Sequence, residues 1–165
     1  MSAYEPDAWA DFAVATAGAA AALAGLLFIA VSINLQPILA GPRAAGRAGL
    51  ALILLVTPVF QSLGLLIPHQ PPAALGTELV AAAGLAGPVL AWLCRPSARP
   101  VEQSVSTWLV GSVLPCAVLS ASSLLAGIGV LTESLGGLYW IAPAVAMGLL
   151  GGLINAWVLL IEILR

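Results

Sequence analysis

The sequence has no lysine, and its five basic residues are all arginine. Charged residues make up only 7% of the 165, against about 25% in soluble globular domains. So few charges cannot clothe a water-facing surface, which excludes a soluble enzyme and a disordered chain alike. The net charge of -2 and the lack of any basic stripe exclude nucleic acid as a partner. Cysteine is equally scarce. Cys94 and Cys116 both fall in apolar segments, too few for a disulfide scaffold or a thiolate metal cage, and they read as small buried hydrophobes. A single histidine, His69, rules out paired axial haem ligands within one chain. The motifs HExxH, GxSxG and GK[ST] are missing. No enzyme, no metal site and no cofactor are expected.

What the chain has instead is 61% hydrophobic residues and a mean hydropathy of +1.09. A membrane-spanning helix takes about 20 mostly apolar residues. Five runs meet that need, at 12–35, 48–67, 73–94, 104–131 and 138–163. Between them lie QPILAGPRAAGR, PHQPP, RPSARP and TESLGG, whose prolines and glycines interrupt helices. The expected fold class is an all-α integral membrane protein, a single transmembrane domain over 1–165. The opening MSAYEPDAWAD is acidic and lacks the basic n-region of a signal peptide. The first run is therefore expected to be a retained span.

Five crossings put Arg43, Arg47, Arg95, Arg99 and Arg165 on one side and no arginine on the other. The positive-inside rule then predicts the N-terminus outside and the C-terminus in the cytoplasm. Tyr4, Trp9, Tyr139 and Trp140 map near the outer interface, and Trp92, Trp108 and Trp157 near the inner one. Amphipathic rings anchor spans at those levels. Trp157, two residues past Asn155, is the one that could also border a functional face.

Helices in lipid associate through close packing and polar contacts. Small residues recur in GAAAALAG at 18–25, in AAAGLAG at 81–87 and at Gly148 and Gly152. Ser112, Cys116 and Ser120 follow every fourth residue and share one helix face. These patterns point to tight crossings, within one chain or between copies. Pro58, Pro88, Pro115 and Pro143 place one proline in each of the last four spans. Such kinks are tolerated where neighbours cover the released carbonyls, and they serve either structure or the shaping of a cavity.

Polar residues within the spans are the candidates for function. Asn155 and Glu162 lie seven residues apart in the fifth span, and Asn34 and Gln36 end the first at similar depth. The expected geometry brings Asn34 or Gln36 across to Asn155, with an arginine closing on Glu162. Toward the outer side, Gln61 in the second span and Glu78 in the third flank the short turn that carries His69. Gln61 is expected to donate to Glu78. The serines are expected to ease helix contacts or return hydrogen bonds to the backbone.

The opening WADFAVATAGAAAALAGLLFIAVSINLQPIL and the closing GGLYWIAPAVAMGLLGGLINAWVLLIEILR resemble a family of small, mostly uncharacterised multi-span membrane proteins from actinobacteria. SINLQ at 32–36 and NAWVLLIEILR at 155–165 are the most distinctive parts. Some members of that family carry a label as modulators of a membrane protease. The resemblance implies a multi-pass place in the bacterial cytoplasmic membrane and brings no active-site residues with it.

Taken together, these features predict a homo-oligomeric channel or small transport protein in the lipid bilayer. Its pathway would be lined by some of Asn34, Gln36, Gln61, Glu78, Asn155 and Glu162, the acids favouring cations. The alternative is a non-transporting accessory or regulatory subunit that docks its small-residue faces on a larger membrane complex.

Overall fold

Apolar runs in lipid must satisfy their own backbone, and every regular element among the described residues is helical. The structure, a computed structural model, describes residues 3–41, 43–99 and 103–163. Its α-helices are α1 (Ala10–Ile33), α2 (Leu35–Ala40), α3 (Ala44–Leu65), α4 (Pro72–Leu93), α5 (Val105–Trp108), α6 (Leu114–Thr132) and α7 (Ile141–Ile163). Leu109–Val113 joins α5 to α6 as a π-helical segment, so 105–132 runs as one long rod. Counting the turns continuous with α1 and α7, five rods are long and apolar enough to cross a membrane.

The breaks differ in detail from the sequence expectation. The QPILAGPRAAGR break is shorter than predicted, because Leu35–Ala40 forms its own helix and α3 begins at Ala44. Residues 138–140 belong to a tight turn, Gly137–Trp140, and α7 proper starts at Ile141. That turn holds the start of the chain. Leu138 N–H donates to the Ala3 carbonyl at 2.8 Å, and Gly137 adopts φ 49°, where a Cβ would strike Ala3 and Tyr4. Trp9 stacks edge-on against Tyr139 at 5.2 Å and Phe12 at 5.7 Å. The starts of α1 and α7 thus lie together at one end of the bundle, as an odd number of crossings requires.

α3 is the central helix. It packs against α1 on one side and α7 on another, while α4 packs chiefly on α6, and α6 on α7. The close crossing of α7 over α3 and α6 depends on glycine. A Cβ on Gly148 would stand 2.8 Å from the Leu54 carbonyl, and one on Gly151 or Gly152 would drive into Pro115 or Leu55. The Leu54 carbonyl is the group that Pro58, four residues on, leaves without its helical donor. The glycine lets α7 cover it. By contrast, a Cβ at Gly18 or Gly25 of α1, or at Gly84 of α4, meets nothing within 4 Å. At those glycines the small-residue stripe of α1 has no partner among the described residues.

Candidate functional site

Pro115 has no N–H, so the carbonyl of Gly111, four residues earlier, loses its ordinary α-helical donor. The same stretch is π-helical, with Leu114 N–H reaching back to the Leu109 carbonyl, and such insertions recur at functional sites. Asn155 of α7 repairs the defect. Its Nδ2 donates to the Gly111 carbonyl at 2.9 Å and to the Gly151 carbonyl of its own helix at 2.8 Å. Its Oδ1 accepts from Ser112 Oγ at 3.2 Å. The amide is 1% exposed and uses both donors and its acceptor.

The polar chain continues through sulfur. Cys94, at the end of α4, directs its thiol to the Ser112 carbonyl at 3.7 Å. Its Sγ lies 3.3 Å from Cys116 Sγ. With the Cys94 proton on Ser112, the Cys116 thiol is the donor of that pair. The two cysteines are therefore neighbours and not separate apolar fillers, a pairing that sequence reading missed. Both are buried and reduced.

Above this chain lies a cavity of about 440 Å³. Arg43, Arg47 and Arg95 line it, with Trp92, Trp108, Cys94, Ser112 and Asn155 among the other walls. Arg47 Nε sits 3.3 Å from Glu162 Oε2, the arginine side chain 11% and the acid 33% exposed. The Arg95 guanidinium stacks over the Trp92 ring at 4.4 Å. Arg99, in the same loop as Arg95, donates to the Gln103 carbonyl. Three guanidiniums and one carboxylate thus meet at one end of the bundle, and anions are what such a lining attracts.

A second polar group lies toward the other end. Gln61, 2% exposed, donates from Nε2 to Ser123 Oγ at 2.5 Å, and Ser123 Oγ donates in turn to the Leu119 carbonyl at 2.6 Å. Gln61 Oε1 and the neighbouring Ser62 Oγ are buried without a partner among the described residues. Gln61 and Glu78 line a groove of about 380 Å³ between α3 and α4, otherwise mostly apolar. Glu78 Oε2 lies 3.0 Å from where a Cβ on Gly64 would be.

These positions correct several sequence expectations. Asn34 does not reach Asn155; its Nδ2 bonds back at 2.9 Å to the Ala30 carbonyl, which also accepts the Asn34 backbone N–H at 3.2 Å, because α1 ends there and its last turn offers the nearest acceptor. Gln36 sits on α2 and is exposed. Gln61 gives its hydrogen bond to Ser123 instead of Glu78, since α6 offers a buried hydroxyl on the inner side of α3. Glu162 does meet an arginine, Arg47. Trp157 is 67% exposed, and the aromatics bordering the cavity are Trp92 and Trp108. His69 is exposed in its turn. Arg165 lies outside the described residues. Ser112 and Cys94 were legible only as members of periodic apolar helices, and the arginine loops only as charge. Among the described residues, no cluster of three or more His, Cys, Asp or Glu side chains could hold a metal ion.

Comparison with models of known protein families, with curated proteins and with solved structures finds no match to this chain.

Proposed function

We propose that this protein is a small membrane carrier whose recognition site is the arginine-lined cavity, and that it takes an anionic, phosphate-bearing group. The observation that carries the reading is the convergence of Arg43, Arg47 and Arg95 on one space of about 440 Å³. That volume lies in the range of ordinary ligand sites, about 300–1,000 Å³. Guanidinium forks match phosphate oxygens in pairs, and among the described residues only Glu162 offsets the charge within ion-pair distance. In the orientation expected from the arginines, the cavity faces the cytoplasm of a bacterial cell, where basic pockets between spans meet anionic headgroups.

The test has two arms, since a lipid headgroup and a free phosphate share this chemistry. In nanodiscs of neutral lipid, inorganic phosphate is titrated against the full chain. In detergent, retained anionic lipid is read by native mass spectrometry. Changing Arg43 and Arg95 together to Gln is expected to weaken whichever ligand binds by at least about tenfold. Equal binding by the variant in both arms would overturn the reading.

A second reading, transport by an assembly of copies, draws support from the uncovered small residues of α1. Small-residue faces let helix backbones approach closely, and at Gly18 and Gly25 nothing among the described residues takes up the space. Assembly would leave the Gln61 and Glu78 groove lining a path for cations. Oligomeric mass in nanodiscs tests it, together with cation flux in liposomes that Glu78→Gln should abolish. A strict monomer removes the interface path, and co-purification of a different membrane protein without flux favours an accessory subunit.

A further inference from the structure

The hydrogen-bond chain that ends at Asn155 begins with two thiols whose sulfurs are 3.3 Å apart. They are not equivalent. Cys94 lines the cavity that the arginines border, while Cys116, 5% exposed, lies behind it on α6. Cys94 is itself buried, 8% exposed, but it alone of the two borders the cavity, and Cys116 lies within bonding reach behind it. A thiolate is the nucleophile in exchange reactions, and reactive cysteines sit in electropositive, partly accessible surroundings. Three guanidiniums around one cavity provide such surroundings.

We propose that Cys94 and Cys116 are a redox-active dithiol, with Cys94 the attacking and Cys116 the resolving sulfur, that exchanges with a small disulfide admitted through the cavity. In the first step Cys94 loses its proton and its sulfur attacks one sulfur of the disulfide. The S–S bond breaks, a mixed disulfide forms, and the leaving thiolate takes up the proton. In the second step Cys116 loses its proton and attacks the Cys94 sulfur. The mixed disulfide breaks, the Cys94–Cys116 bond forms, and the second small thiol leaves with that proton. Two protein thiols are oxidised and one small disulfide is reduced to two thiols. Oxidation also removes the S–H that Cys94 directs to the Ser112 carbonyl, so the redox state of the pair acts on the π-helical segment that Asn155 holds.

The experiment treats the full chain, in detergent and without denaturant, with 5,5′-dithiobis(2-nitrobenzoate), an anionic disulfide whose released thiol is coloured. The expected result is about two equivalents of coloured thiol per chain, with no adduct retained and the protein mass lower by about 2 Da. Cys116→Ser should release about one equivalent and keep one adduct on Cys94. Cys94→Ser should react at least about tenfold more slowly, because only the rear sulfur is left. Two retained adducts on the unmutated chain, or no reaction without denaturant, would overturn the proposal. Because the cavity is also the phosphate site proposed above, closure rates with uncharged 2-hydroxyethyl disulfide are compared. Closure by both reagents at similar rates counts against the anion preference and leaves the dithiol standing.

Discussion

Asn155 and Gln61 are both side-chain amides almost wholly removed from solvent, at 1% and 2% exposure, yet the bundle treats them differently. Asn155 fills two donor places and one acceptor place, and one of its partners is a carbonyl that Pro115 leaves without a donor. Among the described residues Gln61 makes one side-chain bond, to a serine that already has a backbone acceptor, and its own carbonyl is left over. The lesson is that a buried amide is required by the backbone it repairs. Asn155 answers a gap in the helix of another span, whereas Gln61 answers none. An unmet buried acceptor costs free energy, about 1–3 kcal/mol in proteins generally, so the Gln61 region, unlike that of Asn155, has something to gain from an occupant.

The largest expected effect separates these two residues. Asn155→Leu strands the Gly111 carbonyl and the Ser112 hydroxyl, and a loss of about 2–3 kcal/mol is expected for the group of bonds. Gln61→Leu keeps the bulk, removes the orphan and leaves Ser123 bonded to Leu119, so its change should stay within about 0.5 kcal/mol. Reversible unfolding of both variants in bicelles measures the difference. Similar losses would erase the distinction between them.

A double-mutant cycle sharpens the reason. If Asn155 matters because Pro115 lacks an N–H, then Pro115→Ala restores a backbone donor to Gly111. Asn155→Leu should then cost less in the Pro115→Ala background, by about 1 kcal/mol of coupling. The single Pro115→Ala change also trims packing, since the proline ring lies against Gly151, and the cycle removes that part. Additive losses would mean that Asn155 serves the π-helical turn without reference to the proline.

How much of this could be read from residues alone follows from the kind of force involved. Five apolar runs and the punctuation between them locate the helices, because length and hydropathy suffice for that. Charge placed Arg43, Arg47 and Arg95 at one end, where the structure joins them around a cavity. The cross-helix partners were not legible, because periodicity tells which face a residue occupies and not which helix the face meets. Asn34 could as well have reached outward as bonded to Ala30. One signal was present and went unused: Pro115 stands four residues after Gly111, which marks that carbonyl as one that a neighbouring span has to cover. The cysteine pair had a weaker sign, since Cys116 shares a face with Ser112 but nothing in the sequence brings Cys94 to that face.

The smallest effect belongs to the ion pair that charge alone anticipated. Arg47 and Glu162 meet at 3.3 Å, but the acid is 33% exposed, so screening reduces what their attraction contributes to stability. Changing Glu162 to Gln should shift unfolding by no more than about 0.5 kcal/mol, and less at high salt. Its effect on the cavity has the opposite sign. Removing the one carboxylate that, among the described residues, pairs with a lining arginine raises the positive charge facing a ligand, so phosphate or anionic lipid should bind tighter, by about two- to threefold. Asn155→Leu in the same assay should lose affinity in step with its loss of stability, because it disturbs the wall and not the charge. Tighter binding by Glu162→Gln without a matching gain in stability would place recognition in the arginines and structure in the amide. Weaker binding would make the Arg47–Glu162 pair part of the wall that a ligand needs.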